Sequence, residues 1–277
     1  MRPMNAVLGL YRLPIYVVAL FAGLLLFVPF LILVATSWTD GALLMFPPTG
    51  FSLKWYADVL QDDAWLEPFG LSLLVSAVST VIAVVVGTIG ALAIPRLSRT
   101  AARWVRTLFI LPIALPPIAY GVGLYGVKEQ LPFLDRTLVP LVIGEALIAV
   151  PYVFVLVSAG IGRIDPALHS AAATLGARWP LVLWKVELPL LWPNVVAGAI
   201  FAANIVFDEV VLSVFLLPPG TQTLPLKMLS ASQEAFSPQL TAASTIVSLL
   251  ALAILGIFSR INARGPARPR PRKVATA

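Results

Sequence analysis

Two long stretches without a single charged residue, 13–39 and 71–95, limit this chain more than any other feature of its sequence. A bilayer's hydrocarbon core is spanned by about 20 consecutive apolar residues in helical form, and each stretch exceeds that. The whole chain follows suit, with 59% hydrophobic and 12% charged residues, against about 25% charged in soluble domains. The first stretch is too long for a secretory signal, whose apolar region runs about 7–15 residues. The residues that follow, Ser37-Trp38-Thr39-Asp40, form a poor cleavage site, so the stretch reads as a retained anchor.

The hydropathy pattern predicts an all-α integral membrane protein with six transmembrane helices, over residues 13–36, 69–94, 105–127, 138–161, 194–217 and 240–260. Lys and Arg in the connecting segments set the orientation. With the N-terminus inside, 15 of the 19 basic residues fall on the cytoplasmic side, and only Lys54, Lys128, Arg136 and Lys227 fall outside. Both termini are therefore expected in the cytoplasm. The same asymmetry accounts for the net charge of +6 without a nucleic-acid partner. Three regions follow: an N-terminal helix and external loop (1–68), a helical core (69–260), and a basic, proline-rich tail (261–277) expected to be disordered near anionic headgroups.

Residues 53–60, set among acidic and aromatic neighbours, predict a short helix on the outer surface. Pro112, Pro116 and Pro117 in the third span, and Pro140 and Pro151 in the fourth, predict bends, because proline removes a donor and clashes one turn back. Ala83, Gly87 and Ala91 form a small-residue stripe on the second span that permits close helix approach.

The connection between the fourth and fifth spans is too patterned for a simple linker. Asp165 can cap a helix that starts at Pro166, and Gly176 can stop it by adopting a left-handed conformation. This helix covers about 15 Å at most, half a bilayer, so it is expected to lie along the cytoplasmic surface as a docking element. Trp179-Pro180 predicts a second short helix, closed by Leu188-Pro189.

Residues 170–176 read Ser-Ala-Ala-Ala-Thr-Leu-Gly, and 186–189 read Val-Glu-Leu-Pro. Together they resemble the cytoplasmic signature of the permease subunits of bacterial binding-protein-dependent ABC importers: Glu-Ala-Ala, three residues, Gly, nine residues, then Ile-x-Leu-Pro. Ala171, Ala172, Gly176, Leu188 and Pro189 match in register; Val186 stands for Ile, and Ser170 replaces the Glu. The runs at 51–56, 62–66 and 207–215 resemble the spermidine/putrescine branch. The resemblance implies a type I (MetI-like) permease fold, with the loop containing Asp165, Ala171, Ala172, Gly176, Leu188 and Pro189 docking on an ATPase. It also implies two ATPase subunits holding ATP and magnesium, a second permease subunit of different sequence, a periplasmic solute-binding protein, and a location in the bacterial inner membrane. A polyamine-like or other amine cation is the implied substrate; importers of opines, aminoethylphosphonate or ferric ion share much of the pattern.

This chain itself is expected to bind no cofactor and to be no enzyme. It has no Gly-Lys pair and hence no phosphate-binding loop, no cysteine, and one histidine, His169. Gly121-Val-Gly-Leu-Tyr-Gly126 matches a dinucleotide fingerprint but lies inside a membrane helix rather than between a strand and a helix. Glu145, Asp208 and Glu209 fall within predicted spans, with Asn204 one turn before Asp208. Ionisable groups at membrane depth cost at least ~2.5 kcal/mol each, so these four are candidates for a substrate path, or for structural pairing between helices. A secondary transporter acting without ATP is the rival class, and it leaves the patterned loop unexplained. A membrane enzyme is the other, and it lacks paired catalytic residues.

Overall fold

In the computed structural model, which describes residues 3–48, 50–234 and 237–263, the chain is built of helices. The residues fall into two compact units, 1–62 with 231–277, and 63–230.

In the first unit, α1 (Pro3–Ser37) lies along α12 (Pro238–Ala263), and α12 also packs on the short α2 (Lys54–Gln61). From Pro14 to Pro29 α1 is exposed on every side, with Leu26 at 75%, as expected of a helix that is apolar all round and dissolved in lipid. Its C-terminal end is fixed through hydroxyls: the Ser37 Oγ and Tyr56 Oη lie 2.5 Å apart, and Trp55 Nε1 donates to the Thr39 carbonyl at 2.9 Å. The expected surface helix is thus present, one residue later than anticipated. The tail at 264–277 lies outside the described residues.

The second unit is centred on three long helices, α3 (Asp63–Ala93), α6 (Val139–Ile161) and α9 (Leu188–Phe207). Small residues bring them together. Ala83, Gly87 and Ala91 are buried on α3, and a Cβ built on Gly87 would lie 2.8 Å from the Val153 Cβ and 3.0 Å from the Val150 carbonyl. Gly198 of α9 abuts Val153 from the other side, its virtual Cβ 3.1 Å from the Val153 Cα. A Gly87→Ala variant must therefore push α3 and α6 apart. The expected loss is about 1–3 kcal/mol, read as a lower melting temperature of the detergent-solubilised protein.

The third expected span is not one rod. It divides into α4 (Arg99–Ala114) and α5 (Pro117–Glu129), which meet at 103°. Leu115 and Pro116 between them are extended, with ψ of 131° and 127°. Consecutive prolines explain this: each forces the residue before it out of the helical region, and Pro117 then sits at the first position of α5, where its missing N–H costs nothing. By contrast, α6 passes through Pro151 as one helix. Within α5, Gly121 of the glycine-rich run receives the Phe215 ring from the later helix at Val211–Leu216, leaving only 2.7 Å for an added Cβ, which is a packing role.

The fifth expected span is also corrected, at both ends. Leu188-Pro189 does not close the short helix α8 (Trp179–Val182). A π-helical stretch, Leu183–Glu187, joins α8 directly to α9, and Pro189 is accommodated in the first turn of α9. At the other end α9 stops at Phe207, and a separate helix, α10 (Val211–Leu216), follows. Asp208 and Glu209 therefore lie in a break rather than inside a span. The cause is local: Glu209 Oε1 accepts the N–H groups of Val211 (2.7 Å) and Leu212 (3.1 Å), capping α10 in the way acidic residues favour helix starts. Among the described residues four helices are long and apolar enough to cross a bilayer, five if α4 and α5 count as one span. The sixth expected span is α12, with a shorter apolar run, Pro238–Ile254.

Candidate functional site

Two places in the second unit hold the residues singled out from sequence, and they lie toward opposite ends of α6. The first is the loop after α6. Asp165 Oδ1 accepts the Ala167 N–H at 2.9 Å, starting α7 (Pro166–Thr174). The helix ends where Gly176 takes φ +74° and the Ala177 N–H reaches back to the Ala172 carbonyl at 3.0 Å. That pattern closes a helix through a left-handed residue. At nine residues, α7 is about 14 Å long. Ala171 and Gly176 are exposed, Ala172 half-buried, and Leu175 is 86% exposed. An apolar side chain so fully presented on a capped, rigid helix suits a protein partner. Leu188 packs on the core, while Pro189 is exposed.

The same loop is tied to the helical core by a contact that sequence reasoning missed. Arg96, just past α3, donates through Nη2 to both carboxylate oxygens of Glu187, at 3.0 and 3.1 Å, and its guanidinium lies 4.9 Å from the Trp179 ring centre. Arg96 also donates to the Leu92 carbonyl. Glu187 is buried, Arg96 about one-third exposed. A signal was available. Asp165 and Glu187 are the only acidic residues in the connections assigned to the inner side; Asp165 caps α7, and the remaining acid is the one that binds a basic neighbour.

The second place is a crevice at the far end of the unit, with about 160 Å³ of free space, lined by Ser72, Ser76, Glu145, Phe207, Glu209 and Thr223 among others. Hydroxyls fix its wall: the Leu224 N–H donates to Ser72 Oγ at 2.7 Å, Thr223 Oγ1 donates to Ser213 Oγ at 3.0 Å, and Ser213 Oγ donates to the Glu209 carbonyl at 3.2 Å. Glu145 and Glu209 meet here. Asn204 and Asp208 do not join them; both are exposed and neither lines the crevice.

Comparison with known proteins places this architecture. The sequence profile of the family described as "Binding-protein-dependent transport system inner membrane component" matches residues 83–267. The putrescine transport system permease protein PotI of Escherichia coli (strain K12) is 28% identical over 91% of this chain and 92% of its own length. The spermidine/putrescine transport system permease protein PotC of the same strain is 28% identical over 86% and 89%. A putative 2-aminoethylphosphonate transport system permease protein, PhnV of Salmonella paratyphi A, is 27% identical over 78% and 82%. Among solved structures, a bacterial ABC transporter involved in import of the acidic polysaccharide alginate gives a TM-score of 0.74 at 16% identity, covering 96% of this chain and all of that one. The MetNI methionine ABC transporter gives 0.57 at 18% identity, over 72% and 92%. The chain thus belongs to the binding-protein-dependent inner-membrane transport components, as a multi-pass permease subunit of an ABC importer with the type I fold.

Proposed function

We propose that this permease carries a small amine-bearing cation, polyamine-like in character, into the cytoplasm. ATP and magnesium are held by two separate ATPase subunits, a second permease of different sequence completes the pathway, and a periplasmic binding protein delivers the solute. The observation that carries this reading is α7, a helix capped at both ends that exposes Ala171, Leu175 and Gly176. Such a capped element, with these residues exposed, suits a groove on an ATPase. Asp165 and Gly176 set its two ends, Ala171 and Ala172 supply small contact residues, and Leu188 and Pro189 anchor the following helix. Both termini are cytoplasmic in this arrangement, on the side of α7, because the basic residues concentrate there.

The polyamine character is supported by the relatives that transport putrescine or spermidine. A 2-aminoethylphosphonate substrate is the second reading, favoured by the third relative. All three compounds carry a primary ammonium group. The full transporter, purified and placed in liposomes with its binding protein inside-out or outside-out as needed, is expected to accumulate labelled putrescine only when ATP is supplied. Solute movement by this chain alone, without ATP or partners, would sink the proposal. Calorimetric titration of the binding protein with putrescine, spermidine and 2-aminoethylphosphonate separates the two substrate readings.

A further inference from the structure

The crevice between α3, α6 and the break after α9 has no part in docking an ATPase, yet it concentrates polar groups that a lipid-embedded helix bundle does not need. Glu145 is the clearest case. Its residue is 2% exposed, and its Oε2 has no hydrogen-bond partner among the described residues. Ser79 lies beside this carboxyl, but its hydroxyl proton is directed to the Val142 carbonyl at 3.0 Å. A buried carboxylate oxygen left without a donor is unfavourable, and ionisable groups at membrane depth mark a pathway or a partner.

A second carboxyl faces the same space. Glu209 reaches the crevice with Oε1 committed to the N–H groups of Val211 and Leu212. Its backbone is held by the chain of hydroxyls running from Thr223 through Ser213. The two acids stand on different elements, α6 and the α9–α10 break, and ionising both at once is unfavourable in a medium of low dielectric. A cation placed between them offsets that cost and supplies the donor that Oε2 lacks. Thr223 commits its one hydroxyl proton to Ser213 Oγ, so toward a guest in the crevice it can act only as an acceptor, which suits a donor-rich guest.

We infer that Glu145 and Glu209 form a binding site for the ammonium end of the transported solute, with Thr223 as a neutral acceptor, Ser72 and Ser76 as polar neighbours and Phe207 as an apolar wall. The crevice as it stands is too narrow for a water molecule, so this is the closed form of the site. An ammonium group enters when α9 and α10 shift about the break at Asp208.

The inference rests on the amine reading proposed above, and its test keeps the two separable. The complete transporter with its binding protein is reconstituted with the wild-type chain, Glu145→Gln or Glu209→Gln, and putrescine uptake and binding-protein-stimulated ATP hydrolysis are measured together. Gln keeps the shape, and at 209 it retains an oxygen for capping α10, but it removes the charge. The expected result is uptake at least tenfold lower in each variant, with stimulated hydrolysis within twofold of wild type. Unchanged uptake in both variants would overturn the site while leaving amine transport intact. Equal loss of hydrolysis and uptake, or failure of both variants to assemble, would also overturn it by assigning the carboxyls a structural role. A wild-type transporter that takes up neither putrescine nor 2-aminoethylphosphonate would overturn the amine reading and this site with it.

Discussion

A Gly176→Pro variant is expected to lose its ATPase on purification and to abolish ATP-driven uptake. Gly176 holds φ at +74°, and proline is confined near −65°, so the left-handed closure of α7 cannot form. The residue before a proline is driven out of the helical region as well, which displaces Leu175, 86% exposed just past the end of α7. The Ala177 N–H then no longer meets the Ala172 carbonyl. Gly176→Ala gives a graded companion. Nothing lies within 4 Å of the added Cβ, so only the backbone conformation resists, at about 1–2 kcal/mol. Co-purification of the ATPase should be weakened by alanine and absent with proline. An ATPase retained in full by the proline variant would remove α7 as the docking element.

Arg96→Ala is expected to destabilise the permease by about 3 kcal/mol. Removing one partner of a buried pair typically costs 3–5 kcal/mol, and the partial exposure of Arg96 places it at the low end. The substitution takes from Glu187 its bidentate partner and from Trp179 the cation against its ring. A lower melting temperature of the solubilised protein is the first readout. The second is functional: the π-helical stretch containing Glu187 links the α7 loop to α9, so hydrolysis and uptake should fall out of proportion, with ATP consumed for less solute moved. An Arg96→Lys variant should recover only part of either property, because one ammonium nitrogen cannot meet Glu187 and the Leu92 carbonyl as the two guanidinium nitrogens do while lying over the Trp179 ring.

What could be read in the residues alone depended on how local the deciding physics was. The spans at α1 and α3 were legible because uncharged runs of that length have one stable home, and α6 because a single acid, Glu145, is all that interrupts an otherwise uncharged run. Asp165 and Gly176 were legible because capping and left-handed closure are settled within a turn of the helix. The break at Leu115 was half legible: three prolines foretold a bend but not an angle of 103°, which depends on where α5 packs against α10. The division of the fifth span was not legible, since apart from Asp208, Glu209 and Ser213 the residues from Phe207 through Leu217 are apolar, and the Glu209 side chain, turned back onto Val211 and Leu212, starts a new helix. Likewise the pairing of Arg96 with Glu187 joins residues 91 positions apart, and the meeting of Glu145 with Glu209 joins two elements whose approach is set by packing. For the candidate residues, two of the four acidic and amide positions in the spans came together in one crevice, while Asn204 and Asp208 stand outside it.

The uninterrupted run from Trp179 to Phe207 has a mechanical consequence. Its 29 residues form a stiff rod of about 43 Å at 1.5 Å per residue, with the α7 loop at one tip and Phe207 and Glu209 at the other. The clamp of Arg96 on Glu187 sits near the loop tip of that rod. Pivoting there by about 5° would carry the distant tip, about 30 Å away, through about 2.6 Å. Leverage of this kind would let a small displacement at the loop govern access to the crevice that holds Glu145 and Glu209.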